Sequence, residues 1–100
     1  MDTLRHVLTE VMSGYAGRDL NGESFLTHND DQTVLSVISI GTVREQHFAV
    51  ASLVARVEEG RVIIEQDIND KPLVDALIVA GVPRSRIVLA YAGESDSHAA

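Results

Sequence analysis

Apolar residues near the start of the chain recur at every third or fourth position. They are Leu4, Val7, Leu8, Val11, Met12 and Tyr15. This spacing predicts an amphipathic helix over residues 3–14. Asp2 or Thr3 can cap its first turn, and Gly14 and Gly17 are expected to end it. Because the helix has one apolar face, it must pack on another element, and a sheet face is the simplest one.

Four segments further along have the alternation and the β-branched content of strands. They are residues 24–28, 33–40, 46–57 and 61–66. Turn sequences such as Asn21-Gly22 and Glu59-Gly60 bound them. In the third segment both alternating sets of side chains are largely apolar. This predicts a central strand that is covered, at least in part, on both faces.

A second helix is expected after the fourth strand. Pro72 suits its first turn, because the missing N–H of proline has no helical partner there in any case. Asn69 or Asp70 is the predicted N-cap. Gly81 is the predicted left-handed C-cap, and Pro83 follows where a helix cannot continue.

A last strand is expected over residues 87–91, and a frayed, flexible tail over residues 92–100. A run of strands with a helix near each end is typical of the α+β class. The sequence therefore predicts a single domain, 1–100, in the order α-β-β-β-β-α-β. Its antiparallel sheet of about five strands would pack against the N-terminal helix and the second helix.

Charge and composition narrow the functional classes. The 100 residues carry a formal charge of −7, with only eight Lys and Arg, and these are scattered along the chain. Nucleic-acid binding depends largely on such cations, so this composition disfavours it. The chain has no cysteine, which excludes disulfides and thiolate zinc sites and fits a reducing cytoplasm. No apolar run approaches the ~20 residues of a membrane span, and no signal peptide is evident.

Motifs of known chemistry are missing or fail on inspection. Asp67 and Asn69 fit the first two ligand positions of a calcium loop, but Lys71 and Pro72 occupy the next ligand and glycine positions. No nucleophile elbow or phosphate-binding loop is present. The four histidines, His6, His28, His47 and His98, include no pair at helical spacing. We therefore predict no enzyme, no metal and no cofactor.

Two polar segments are the candidates for contact with a partner. One is the acidic turn that contains Asp67, Asn69 and Asp70, which can also be explained as a helix N-terminus with acids near the positive end of its dipole. The other is the basic doublet Arg84 and Arg86, which suits either a solvated loop or a contact with an acidic partner or a phosphate.

The segment from Gly60 to Tyr91 resembles the XisI-like family, named for the fdxN element excision controlling factor. Members have a turn GK-x-x-I-x-x-D-G-T-E, a helix with ELV-x-x-GVPK and a strand DIVLGF. The matching pieces are Gly60-Arg61, Ile64, Asp67-Ile68-Asn69-Asp70, Ala76-Leu77-Ile78, Ala80-Gly81-Val82-Pro83-Arg84 and Arg86-Ile87-Val88-Leu89-Ala90-Tyr91. The N-terminal helix and the hairpin over 34–57 agree in layout. The Gly-Thr-Glu of the family and its frequent Trp residues are replaced here.

This resemblance implies an accessory factor in programmed excision of a DNA element, paired with a second small protein, XisH. It assigns no catalytic residues. We therefore expect a non-enzymatic, cytoplasmic regulatory protein that contacts an XisH-like partner. A homodimer is also expected as a candidate, because an uncovered sheet edge can pair with another strand.

Two alternatives stay open. A direct DNA-binding module would require Arg56, Arg61, Arg84 and Arg86 to cluster on one face. A small-ligand or metal-binding domain would use the turn that contains Glu65, Asp67 and Asp70.

Overall fold

The structure is a computed structural model, and it describes residues 2–95. Within this range the chain forms two α-helices and six β-strands. In chain order they are α1 (Asp2–Ser13), β1 (Gly17–Arg18), β2 (Gly22–His28), β3 (Val34–Val43), β4 (Gln46–Glu58), β5 (Arg61–Asp67), α2 (Leu73–Val79) and β6 (Ile87–Leu89). Short 3-10 turns, Arg84–Arg86 and Ala90–Ala92, flank β6.

The strands form one sheet in which the spatial order follows the chain order. The α+β class is confirmed, and the number of strands is close to the prediction, since β1 adds a two-residue strand at one edge. The direction of β6 corrects the prediction of an antiparallel sheet, because β6 pairs with β5 in parallel. The crossover through α2 carries the chain back to the end where β5 began, so the next strand must run in the same direction.

Both helices pack on the same face of the sheet. The buried residues of this layer are Leu8, Met12, Leu35, Val37, Leu53, Ala55, Val62, Ile64, Leu73, Leu77, Val82 and Ile87. The register agrees with this arrangement, since Val37 pairs with Leu53, and Ala55 lies between Leu35 and Ile64. The core is aliphatic, as the small number of aromatic residues predicts.

The long strand β4 is central over only half of its length. It lies between β3 and β5 from Leu53 to Arg56, whereas residues 46–51 pair with β3 alone among the described strands. Residues 46–50 are mostly exposed, so the expectation of partial cover on both faces is wrong for this half. This first half of β4 projects with β2 and β3 as a three-stranded arm. The molecule is therefore elongated and measures 48 × 26 × 25 Å.

A two-residue turn closes the tip of this arm. Arg44 and Glu45 have φ angles of 53° and 65°, the positive values of a type I′ hairpin turn. Gly41 in β3 lies so close to Gly22 in β2 and to the Phe48 ring in β4 that a Cβ added there would stand 2.8 Å from the ring. The arm is thus three strands held at close range without a helix above them.

The N-terminus of α2 is not capped as predicted. Pro72 is the capping residue, and no side chain at that position accepts a hydrogen bond. Neither Asn69 nor Asp70 serves this role. Instead Asp67, at the end of β5, accepts a hydrogen bond at Oδ2 from the Leu73 amide at 2.7 Å. The carboxylate reaches back because the connection between strand and helix folds over it.

The C-terminus of α2 ends as the sequence predicts. Gly81 has a φ of +105°, and its amide donates to the Ile78 carbonyl. The Val82 amide donates to the Leu77 carbonyl, which completes a Schellman pattern. Val82 is 5% exposed, so the apolar contact that accompanies this motif is also present.

The segment predicted to be a flexible tail divides into two parts. Residues 96–100, including His98, lie outside the described residues. Before them, Gly93 takes the left-handed conformation, and the Glu94 amide donates to the Leu89 carbonyl. The chain therefore turns back onto β6 at the start of this segment rather than leaving the body.

Candidate functional site

The sheet has one face covered by helices and one largely open face. Register places Phe25, Ile38 and Ala51 side by side across β2, β3 and β4 on the open face. Ile40 lies two residues along the same strand from Ile38, and Val54 faces the same way through its pairing with Ser36, since alternate residues share a face. Phe25 is 42% exposed and Ile40 is 39% exposed.

We name the residues Phe25, Ile38, Ile40 and Val54 the open-face stripe. Ile38 and Val54 are partly buried. At the β5–β6 end the same face is covered instead, because the Ala90–Ala92 turn contacts β5 and Ile63 is 1% exposed. Apolar side chains that stay together on an exposed face are typical of interaction surfaces. The stripe is the clearest such feature in the described part of the chain.

Polar side chains surround the stripe. The Thr27 hydroxyl lies 2.6 Å from the Ser36 hydroxyl, and Glu23 pairs with Ile40 in the register. At the other side Arg56 donates to Glu65 at 2.8 Å and to Glu58. Hydrogen bonding to Glu65 is the main cause that raises the pKa of Arg56. An apolar centre with a polar rim is the usual anatomy of a protein–protein interface.

The predicted site residues Asp67 and Asn69 form an internal hydrogen-bond centre. Asp67 Oδ1 accepts from the Asn69 amide at 3.1 Å and from its side-chain nitrogen at 2.9 Å. The same Asn69 nitrogen donates to the Ser52 carbonyl in β4 at 3.1 Å. Together with the bond to Leu73, these contacts join β4, β5 and α2. Asp70 lies beside this centre and is exposed.

Tyr15, just after α1, extends the same network. Its hydroxyl donates to the Lys71 carbonyl at 2.9 Å. Burial, followed by the nearby Asp67 and Asp75 carboxylates, raises the pKa of Tyr15. The polar turn that resembled half of a calcium loop thus fixes both helices to the sheet.

The basic doublet closes the outer edge of β6. Arg84 Nη1 donates to the Ile87 carbonyl at 2.7 Å, and Arg84 Nη2 donates to Glu94 at 2.9 Å. Glu94 Oε1 accepts from the Leu89 amide at 2.9 Å. Arg86 donates to the Gly60 carbonyl at 3.2 Å. Both arginines are therefore engaged with the backbone of their own chain.

The structure does not bring the two predicted partner segments together. Asp67, Asn69 and Asp70 lie at the C-terminal end of β5, whereas the β6 start, preceded by Arg84 and Arg86, pairs beside the N-terminal end of β5. Sequence reasoning missed the open-face stripe. The alternating pattern was visible, but only the position of the helices decides which apolar set stays exposed.

The four arginines of the DNA-binding alternative do lie near one end of the sheet. However, Arg56 pairs with Glu58 and Glu65, and Arg61 lies 3.7 Å from Glu59. Arg84 pairs with Glu94. Because acids accompany three of these four cations, the cluster does not form the cationic surface that phosphates require.

The carboxylates of the ligand-binding alternative are separated. Glu65 lies in a bulge and accepts a hydrogen bond from Arg56, whereas Asp67 accepts one from the Leu73 amide in α2. Within residues 2–95 no group of three His, Asp or Glu side chains could hold a metal ion. A groove of about 820 Å³ runs between α1, the β4–β5 turn and the end of α2, and its charged residues are Arg5, Glu59 and Arg86.

Neither helix in the described range is long and apolar enough to cross a membrane. Every buried side-chain nitrogen or oxygen among the described residues has a hydrogen-bond partner. Buried polar groups without partners are a frequent sign of a ligand site. No such unpartnered buried side-chain group occurs in the part of the chain that the structure describes.

Comparison with known proteins supplies the remaining findings. A family model described as XisI protein matches residues 1–99. No curated protein sequence matches the chain. Its fold is similar to that of a XisI-like protein from Anabaena variabilis, with a TM-score of 0.65, 19% identity and coverage of 88% of this chain and 80% of the other. It is also similar to the fdxN element excision controlling factor XisI from that organism, with a TM-score of 0.68, 19% identity and coverage of 97% and 95%.

Proposed function

The chain belongs to the XisI family, and we propose that it is a non-enzymatic accessory protein of the cytoplasm that acts by contact with an XisH-like partner protein. The process is excision of a DNA element or a related process. One similar solved structure carries the name fdxN element excision controlling factor. We propose the same general role, control of excision, for this chain, and we assign no catalytic residue.

The observation that carries this proposal is the open-face stripe. A partly exposed apolar row with a polar rim on a sheet face is a surface that another protein can cover. Phe25 is the aromatic member and the natural anchor, since aromatic side chains dominate interface energetics. The charged candidates contribute less, because Asp67, Asn69, Arg84 and Arg86 already bond within the chain.

The test is binding of the full chain to an XisH-like protein, measured by calorimetry or co-purification. We expect Phe25→Ser and Ile40→Ser each to weaken the complex about tenfold or more, as truncation of an interface anchor does. Val79→Ser is the matched control, since Val79 is 88% exposed on α2, away from the open face. It should leave the affinity unchanged.

The outcome decides the proposal in either direction. Circular dichroism must first show that the three variants keep the fold. If the unaltered chain forms no complex at micromolar concentration, the proposed function is wrong. If a complex forms and Val79→Ser weakens it as much as Phe25→Ser, the stripe is not the contact surface.

A further inference from the structure

The strand β4 has an unpaired edge along the projecting arm. On the side that faces β5, pairing begins only at Leu53. Just before that point, the Ser52 carbonyl accepts from the Ile68 amide and from Asn69 Nδ2, and the Ala51 carbonyl accepts from Gln66. Over residues 46–50 no described residue bonds to this side of the strand.

The direction of the backbone groups follows from the hairpin turn. A two-residue turn makes Val43 and Gln46 a hydrogen-bonded pair, and the pattern alternates from there. Gln46, Phe48 and Val50 therefore bond to β3. His47 and Ala49 direct their N–H and C=O groups away from β3, toward the unpaired side. Two residues thus offer four backbone groups to an additional strand.

The edge of β6 and the start of the β2 edge are protected. The amide and carbonyl of Leu89 on β6 bond to Glu94, and the Ile87 carbonyl accepts from Arg84. On β2, the short strand β1 and the Asp19 carboxylate, which accepts from the Gly22 amide, cover the start. Proteins usually blunt an edge with charge, proline or cover. Residues 46–50 of β4 contain neither a charged residue nor a proline.

We propose that this β4 edge pairs, antiparallel, with the same edge of a second copy of the chain. With the two-fold axis at Phe48, His47 of each copy lies opposite Ala49 of the other. All four outward groups of each copy are then paired. A two-fold interface presents the same surface twice, so a short strand of this kind complements itself. The two sheets become continuous, and the open-face stripes remain accessible.

Charge at the tip of the arm favours a second copy as the occupant. In this register the turn that contains Arg44 reaches the end of β5 in the other copy, where Ile68 bonds to Ser52 and the connection that contains Asp70 begins. Arg44 is exposed and forms no ion pair within residues 2–95, and Asp70 is exposed. The two-fold axis places this opposite-charge contact at both ends of the paired strands. Complementary charges of this kind fix register and partner choice.

The first experiment is sedimentation velocity of the full chain alone over a range of concentrations. We expect a monomer–dimer equilibrium. Ala49→Pro removes an outward N–H without breaking the β3–β4 ladder, so the chain should fold and stay monomeric. Ala49→Val keeps the N–H and suits a strand, and it should dimerise as the unaltered chain does. A monomer at high micromolar concentration, or a dimer that survives Ala49→Pro, overturns the proposal.

A charge exchange tests the register. Arg44→Glu should weaken the dimer several-fold, by roughly tenfold at most, since exposed ion pairs are weak and two are lost. Adding Asp70→Arg to it should restore the affinity. No restoration would overturn the register with its axis at Phe48. Because the dimer is measured without an XisH-like protein, this result is independent of the proposed function. If the chain alone is monomeric and Ala49→Pro disrupts only the XisH complex, the edge receives that protein instead, and the second copy is wrong.

Discussion

The two ends of this sheet differ in how the outward backbone groups of their edge strands are bonded. At the β6 edge the outward backbone groups of Ile87 and Leu89 bond to Arg84 and Glu94 of the same chain. Along the arm the corresponding groups of β4 are left without a described partner. The difference is that the chain returns over β6, whereas nothing in the described range returns over the first half of β4.

This contrast separates stability from recognition. The closed end contains the helices, the aliphatic core and the Asp67 network, so its side chains are fixed by many contacts. The arm exposes Phe25, Ile40 and Val50, each between 39% and 43%. An exposed apolar surface contributes less to folding, but it can contribute to binding. Substitutions at the closed end should therefore change stability, and those on the arm should change association.

The largest expected difference lies within β4 itself. Leu53 is fully buried, whereas Val50 is 43% exposed. Leu53→Ala should lower the free energy of unfolding by about 2–5 kcal/mol, since it removes buried methyl groups and leaves a cavity. Val50→Ala should cost less than about 1 kcal/mol, because only part of a smaller side chain is buried. Urea denaturation of the two variants measures both values. Equal losses would mean that the arm is packed as tightly as the core.

A smaller effect is expected at the polar centre of the closed end. Asp67→Ala removes the acceptor for the Leu73 amide and for Asn69, and it should cost about 1–2 kcal/mol. Asp70→Ala is the matched control three residues away, and it should stay within about 0.5 kcal/mol because Asp70 is exposed. Denaturant midpoints compare the two. If Asp70→Ala is the more harmful variant, Asp70 rather than Asp67 stabilises the start of α2.

The smallest effect is the pH dependence of the β6 edge. The bond from the Leu89 amide, followed by the contact with Arg84, lowers the pKa of Glu94. The ionised form is therefore favoured in the folded chain. Its contribution to stability is present above the ordinary pKa of a glutamate and is lost as the pH falls through the lowered value.

Glu94→Gln keeps an acceptor for Leu89 but cannot ionise. It should lose this part of the acid dependence while it changes the midpoint little at neutral pH. Urea midpoints of both chains across the acidic range provide the measurement. Parallel curves for the two proteins would show that Glu94 does not contribute to the acid response.

Much of the fold could be predicted because its signals are local. The spacing of Leu4, Leu8 and Met12 defines α1, and Gly81 ends α2 through a conformation that favours glycine. Strands were identified from alternation, although β1 was too short to have a pattern of its own. The helix cap was assigned wrongly, because the carboxylate that accepts from Leu73 belongs to Asp67, six residues earlier. No local rule connects residues at that distance.

The sequence by itself determined which segments become helices and strands, since backbone preference and hydrophobic period act over a few neighbouring residues. Only the tertiary structure decided that β6 runs parallel to β5, that Arg84 and Glu94 seal one edge, and that the open-face stripe stays exposed. Those features depend on where the chain returns in space. The physical reason is that pairing and burial join residues far apart in the chain, and a local sequence pattern does not determine which distant residues come into contact.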